Sequence, residues 1–225
     1  MKIAIVGAES TGKTVLAQNL ARQLNEQTGL RCIAVPELLR GWCEREGRTP
    51  RPEEQAAIAA AQAEAIDAAA FTHDIVLCDT TPLMTAIYSE HLFDDRSLIG
   101  EAQAFHRRCD MTLLTALDIA WEPDGLQRDG PHVRPPIDAA IRRALLDGRI
   151  AWSIVSGHGQ ARIDAALNAI TPLLAGRALP KTGLFSRLDA RQATMPAWQW
   201  PCDCDVPECE HAAFRRDNAA DENPR

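Results

Sequence analysis

Helices on both faces of a five-stranded, mainly parallel β-sheet, an α/β fold in three layers, is the architecture this 225-residue sequence predicts. Three observations predict it. Short apolar runs alternate five times with helical segments over the first 176 residues, the pattern of parallel strands joined by helical crossovers. The first run, Lys2-Ile3-Ala4-Ile5-Val6, has no polar alternation, as expected of a central strand buried on both faces. That run feeds Gly7-Ala8-Glu9-Ser10-Thr11-Gly12-Lys13-Thr14, which matches G-x-x-x-x-G-K-[ST] in the strand–loop–helix setting of a phosphate-binding P-loop.

Taken in order, the elements follow from local pattern. Leu16, Leu20 and Leu24 recur every four residues, so a helix runs from Gly12 to about Gln27 with Gly29 placed to end it. Arg31 to Val35 is a short strand broken by Pro36, and Leu38 to Glu46 is helical. Residues 47–52 form a loop, with Pro52 suited to a first helical turn. Glu53 to Phe71 is an alanine-rich helix suited to close packing, and Asp74 to Cys78 is a third strand. Helical segments at 83–92 and 96–108 precede a fourth strand, Met111 to Leu117. Residues 118–136 hold four prolines, two glycines and several charges, the composition of a functional lid or a disordered linker. A helix from Ile137 to Leu146, a fifth strand from Trp152 to Val155 and a helix from Gln160 to Leu174 complete a domain of residues 1–176. Residues 177–225 show no periodicity and read as an irregular, partly disordered appendage.

Composition narrows the function. A net charge of −7 argues against a general nucleic-acid binder. No stretch has the length of a membrane span and no secretory signal is visible, so a cytoplasmic protein is expected. Seven cysteines, four of them scattered, imply buried thiols rather than disulfides. The tail reads Cys202-Asp203-Cys204, then Cys209-Glu210-His211; three thiols and an imidazole this close are a candidate Zn²⁺ set, with a reduced tail as the alternative.

The P-loop implies ATP and Mg²⁺. Gly7 and Gly12 let the backbone turn and approach a ligand, and the N–H groups of Glu9, Ser10, Thr11 and Gly12 face the mouth of a helix, where anions are favoured. Lys13 supplies a point charge to the outer phosphates and the Thr14 hydroxyl is a Mg²⁺ ligand. Asp79, at the carboxyl end of the third strand, occupies the place of a second Mg²⁺-organising group and is, with Glu37, one of two candidates to orient or deprotonate an acceptor hydroxyl; a helix-capping aspartate is the alternative. Thr80 follows it, where many ATPases carry the glutamate that polarises water, which tilts the reading from hydrolysis towards transfer.

Glu37 closes the second strand with Arg40 three residues on, placed to accept a proton from an acceptor hydroxyl or to form a surface ion pair. Trp42 is a candidate for stacking on a base. In the lid, Arg128 lies between Gly125 and Gly130 and is the first choice for stabilising a transferring phosphoryl group, with Arg134 in reserve. Trp121 is a further substrate candidate, and Gly157, in Ser156-Gly157-His158-Gly159, permits close backbone approach beside adenine.

Four stretches together resemble the ribosylnicotinamide kinase domain of the NadR-like family. Residues 7–14 resemble its G-x-E-S-[ST]-G-K-[ST] loop, and Glu37-Leu38-Leu39-Arg40 its E-x-x-R element. Asp79-Thr80 resembles its D-T, and residues 118–130 its D-I-x-W-x-x-D-G-x-R lid segment, with Gln127 inserted. The resemblance spans residues 1–176 and excludes the tail. It implies strand order 2-3-1-4-5 and transfer of the γ-phosphate of ATP to the 5′-hydroxyl of nicotinamide riboside, a small-molecule nucleoside substrate. No DNA-binding or adenylyltransferase segment precedes the loop, so those activities of the family are not expected. A regulatory P-loop ATPase and a kinase for another nucleoside are the rival readings. A GTPase is disfavoured, since N-K-x-D is missing and the only lysines are Lys2, Lys13 and Lys181.

Overall fold

The computed structural model describes residues 1–123 and 130–174, all of which lie in one compact unit, Met1–Pro180. The five strands are β1 (Lys2–Val6), β2 (Cys32–Val35), β3 (Ile75–Asp79), β4 (Met111–Thr115) and β5 (Ser153–Val155). They form one sheet in the order β2-β3-β1-β4-β5, with every pairing parallel. The helices are α1 (Lys13–Thr28), α2 (Leu38–Glu46), α3 (Gln55–Thr72), α4 (Pro82–Phe93), α5 (Ile99–His106), α6 (Arg134–Asp147) and α7 (Gly159–Leu174). Helices α1 and α7 pack together on one face of the sheet, and α3, α4 and α6 pack in series on the other.

Burial follows the strand composition. Ile3, Ala4, Ile5 and Val6 of β1 and all five residues of β3 are buried, because helices cover both faces of these inner strands. The edge strand β5 leaves Ile154 half exposed. Leu16, Leu20 and Leu24 are the buried stripe of α1, and Gly29 ends that helix in a left-handed conformation that glycine adopts without steric cost. Cys32, Cys43, Cys78 and Cys109 are free thiols, the first three buried.

The order of the strands positions the site. The chain leaves β1 towards β2 and β3, and leaves β3 towards β4 on the opposite side, so the carboxyl end of β1 is a topological switch point. Ligands of open parallel sheets sit in the crevice there. The loop at residues 7–12 occupies it, and Asp79 arrives alongside because β3 pairs with β1 in the register Ile5 to Asp79.

Several boundaries differ from the expectations. Helix α6 begins at Arg134 rather than Ile137, because Pro135 and Pro136 are absorbed in its first turn, where a missing N–H costs nothing. Strand β4 stops at Thr115, two residues before Leu117, and helix α5 is confined to 99–106.

One buried polar group has no counterpart in the sequence reading. His106 is fully buried between Thr81, the N-cap of α4, and Thr112 of β4, at 2.9 Å from each hydroxyl. Burial pushes its imidazole down to about 4. The folded protein therefore holds His106 neutral, whereas the unfolded chain takes up a proton near its ordinary value. Its contribution is complete at neutral pH and falls away as the pH drops towards 4, a loss of roughly 3 kcal/mol at most. Urea unfolding at pH 7 and pH 4.5 checks this: His106→Asn should show a shallower pH dependence than the parent, and parallel curves would exclude His106 as the group responsible.

Candidate active site

The phosphate loop is tied from its inner side. The Thr11 hydroxyl donates to the Ala8 carbonyl at 2.7 Å and lies 2.7 Å from the Thr115 hydroxyl, which in turn donates to the Val6 carbonyl at 3.2 Å. Lys13 Nζ also donates to Ala8 O, at 2.9 Å. Gly7 is required by this packing: a Cβ there would lie 1.9 Å from Thr115 Oγ1. The glycine thus makes room for a threonine of β4, a different reason from the close approach of a ligand. Gly12 begins α1 at a φ of 73°, where a side chain would be strained.

The outer side of the loop meets the start of the lid segment. Glu9 is buried and accepts from Trp121 Nε1 at 3.0 Å. Ser10 Oγ accepts from the Glu122 backbone N–H at 2.9 Å. Glu9, Ser10 and Trp121, singled out separately from sequence, are one contact: two loop side chains hold residues 121–122 against the loop.

Asp79 is buried at the end of β3. Burial pushes its carboxyl above the ordinary range, opposed by a hydrogen bond from Thr14 and the charges of Lys13 and Arg40. Its Oδ1 is buried with no hydrogen-bond partner among the described residues. An orphaned carboxylate oxygen beside a threonine hydroxyl is a donor set suited to a hard divalent cation that keeps its remaining places for water and phosphate. The next residue, Thr80, has a φ of 70°, a strained conformation for a β-branched side chain and one that concentrates at functional sites.

Loop residues 9–15 open into a cavity of about 720 Å³, within the range of small-molecule sites. Glu37, Arg40 and Thr80 line it, as do Met84, Tyr88 and Leu92, one face of α4. Glu37 is the N-cap of α2 and its turn is pinned by Gln62 of α3, which accepts from Leu38 N at 2.8 Å and donates to Pro36 O at 3.2 Å. The carboxylate–arginine element thus faces the same space as the phosphate loop.

The remaining sequence candidates fall elsewhere. Trp42 lines a separate hollow with Ala57 and Ala61, and the Arg48 guanidinium sits 4.9 Å from its ring centre. Its apolar face is occupied by an intramolecular cation, a role sequence alone did not indicate. Arg134 is buried at the start of α6 with Nε and Nη2 unpaired among the described residues. Gly157 gives its N–H to Asp118 Oδ2 at 2.6 Å. Arg128 and the set Cys202, Cys204, Cys209 and His211 lie outside the described residues, and the described ones contain no cluster of three or more metal-ligating side chains.

Arg162 is the residue of the site's frame that sequence reasoning missed. Its guanidinium donates to Thr11 O at 2.8 Å, Asp118 Oδ1 at 2.8 Å and Gly157 O at 3.0 Å, joining the phosphate loop to the segments that follow β4 and β5. Burial raises the Asp118 carboxyl, but the bonds from Arg162 and Gly157 bring it below its ordinary value. A signal was available. Arg162 falls in register with Ile163, Ala166, Leu167 and Ile170, the buried stripe of α7, and a charge on an apolar stripe calls for a partner. Arg162→Ala should lower unfolding free energy by about 2–4 kcal/mol, since it strands the Asp118 carboxylate and the Thr11 carbonyl. Chemical denaturation measures this, and a loss below about 1 kcal/mol would show that the loop is anchored by other groups.

Comparison with known proteins agrees with this geometry. A family model described as an AAA domain matches residues 2–162. No sequence among the curated proteins matches. A NadR protein solved in complex with NR aligns at a TM-score of 0.61 and 20% identity over 75% of this chain and 51% of that one. A NadR protein with NAD and AMP-PNP gives 0.58 and 19%, over 76% and 49%. A thymidylate kinase from Ehrlichia chaffeensis gives 0.54 and 17%, over 77% and 98%. The chain spans about half the length of the NadR structures it matches. At these identities the likeness is one of fold, shared with the NadR proteins and the thymidylate kinase. With a family model covering the phosphate loop, Asp79 and the Asp118–Arg162 anchor, the chain belongs to the AAA-domain family AAA_28.

Proposed function

We propose that this chain is an ATP-dependent phosphotransferase whose acceptor is a small nucleoside, with nicotinamide riboside, giving nicotinamide mononucleotide, as the first choice. One observation carries the reading. The phosphate loop shares a single large cavity with Glu37, Arg40 and an apolar wall from α4, which leaves room for a second substrate beside the phosphates. Hydrolysis needs only a water molecule there. The NadR protein in complex with NR supports the choice of acceptor through its fold.

The residues divide the work as follows. The loop N–H groups and Lys13 hold the β- and γ-phosphates. Thr14 and Asp79 are the residues that would hold Mg²⁺, which when bound neutralises charge on the phosphates. Glu37 accepts the proton of the acceptor hydroxyl and Arg40 orients the acceptor beside it. Arg128 and Arg134 are assigned to the charge that develops on the transferring group. The contacts of Trp121 and Glu122 with Glu9 and Ser10 hold residues 121–122 against the outer side of the phosphate loop. Among the described residues no helix is long and apolar enough to cross a membrane.

An ADP-release screen over a nucleoside panel containing nicotinamide riboside tests the reading. At least one acceptor should raise ADP release above the acceptor-free rate, and a flat panel would overturn transfer in favour of a regulatory ATPase. Lys13→Ala should lower turnover by about 10³-fold or more, by loss of charge at the phosphates, with the native fold retained by circular dichroism. Glu37→Gln should lower kcat by about 10²- to 10⁴-fold, the range of a lost general base.

A further inference from the structure

Gln55 is the first residue of α3 and belongs to its buried stripe with Ile58, Gln62 and Ile66. Two glutamines therefore stand on one buried helix face, each about 97% or more removed from solvent. Gln62 is satisfied at both ends of its amide, by Leu38 N and Pro36 O. The side-chain amide of Gln55 makes no hydrogen bond among the described residues, and Gln55 lines the cavity into which the phosphate loop opens. An enclosed glutamine on the wall of a cavity, with no hydrogen bond to the protein among the described residues, has its amide available to a ligand there.

The surroundings of Gln55 are built to hold it still. Arg48 donates to both oxygens of Glu54, at 2.7 Å each, and Glu54 in turn accepts from the Arg51 N–H at 2.7 Å. Arg48 also rests on the Trp42 ring. The turn immediately before Gln55 is thus braced by an aromatic ring, a bidentate ion pair and Pro52, so the amide is presented to the cavity by a rigid frame. The walls nearby are apolar: Leu39, Met84, Tyr88, Leu92 and Phe93 line the same space. An apolar-walled cavity with one carboxamide in its lining favours a group that brings a complementary hydrogen-bonding edge.

We propose that Gln55 is the specificity-determining residue of the acceptor pocket, where its amide pairs with a planar ring that carries a hydrogen-bond donor and acceptor side by side, as a ring carboxamide or a nucleobase edge does. The inference rests on the acceptor cavity of the proposed phosphotransferase, but it concerns binding rather than transfer. One amide offers one donor face and one acceptor face in a plane, so it matches such an edge with two hydrogen bonds and a bare ring with none. The brace explains why Trp42 sits outside the cavity: it supports, through Arg48 and Glu54, the residue that does the reading.

Titration calorimetry on the full chain with ATP, nicotinamide riboside, N-ribosylpyridinium (the same cation without the carboxamide) and the common ribonucleosides tests this. The parent should bind at least one edge-bearing riboside. Gln55→Met, close in shape, and Gln55→Glu, which loses the donor, should each weaken it about 10- to 100-fold and leave ATP affinity within about two-fold. If nicotinamide riboside is the ligand, the parent should prefer it to N-ribosylpyridinium and Gln55→Met should lose that preference. Melting of Gln55→Met should be unchanged or raised, because the amide has no protein partner to lose, whereas a structural glutamine would lower it. Equal acceptor affinity in parent and variants, binding of no panel member by the parent, or a parallel fall in ATP affinity would overturn the proposal. Phosphotransfer fails on a separate readout: a riboside that binds through Gln55 without stimulating ADP release sinks the kinase reading and leaves this one standing.

Discussion

The structure depends on how the phosphate loop is held from behind. A P-loop works by turning its backbone N–H groups towards a ligand, so its carbonyls and hydroxyls must be satisfied on the protein side. Here Ala8 O takes bonds from Thr11 and Lys13, the Thr11 and Thr115 hydroxyls lie 2.7 Å apart, and Thr11 O takes a bond from Arg162. Each partner comes from a different part of the chain: the loop itself, strand β4 and helix α7. The sheet order makes this possible, since only a central β1 flanked by β4 can bring Thr115 under Gly7.

Polar burial in the site then sorts into two kinds. Some groups are spent inside the protein: Gln62 on the turn before α2, His106 between two threonines, Arg162 on three segments. Others are buried and left unpaired among the described residues: Asp79 Oδ1 and two nitrogens of Arg134. The first kind fixes the frame and the second faces chemistry that the frame is built to meet. Asp79 shows both at once, since one side of its carboxylate takes the Thr14 hydroxyl and the other has no partner.

The strain at Thr80 belongs to the same economy. A β-branched residue in the left-handed region is maintained only where its surroundings over-determine it. Its N–H continues the sheet by bonding Ile5 O at 3.1 Å, so the backbone turns sharply within one residue of Asp79. The carboxylate is thereby presented at the loop while α4 starts immediately at Pro82, with Thr81 as its cap.

Local chemistry was enough to read much of this molecule from sequence. Strand alternation, the four-residue leucine spacing of α1, Gly29, and the loop from Gly7 to Thr14 are determined by neighbours within one or two turns, and the elements they predict are present. The same holds for Asp79 at a strand end and Glu37 at a turn. Contacts between residues far apart in the chain were not legible in this way. Gly7 is explained by Thr115, Glu9 by Trp121, Thr11 by Arg162, and Trp42 by Arg48 and Glu54. The two buried glutamines of α3 make the point most directly. Both lie on one stripe of a single helix, seven residues apart, and look equivalent in the sequence. Only the packing of α2 against α3 decides that one is used by the protein and the other is turned to the cavity, because hydrogen-bond satisfaction is a property of three-dimensional neighbours and not of spacing along the chain.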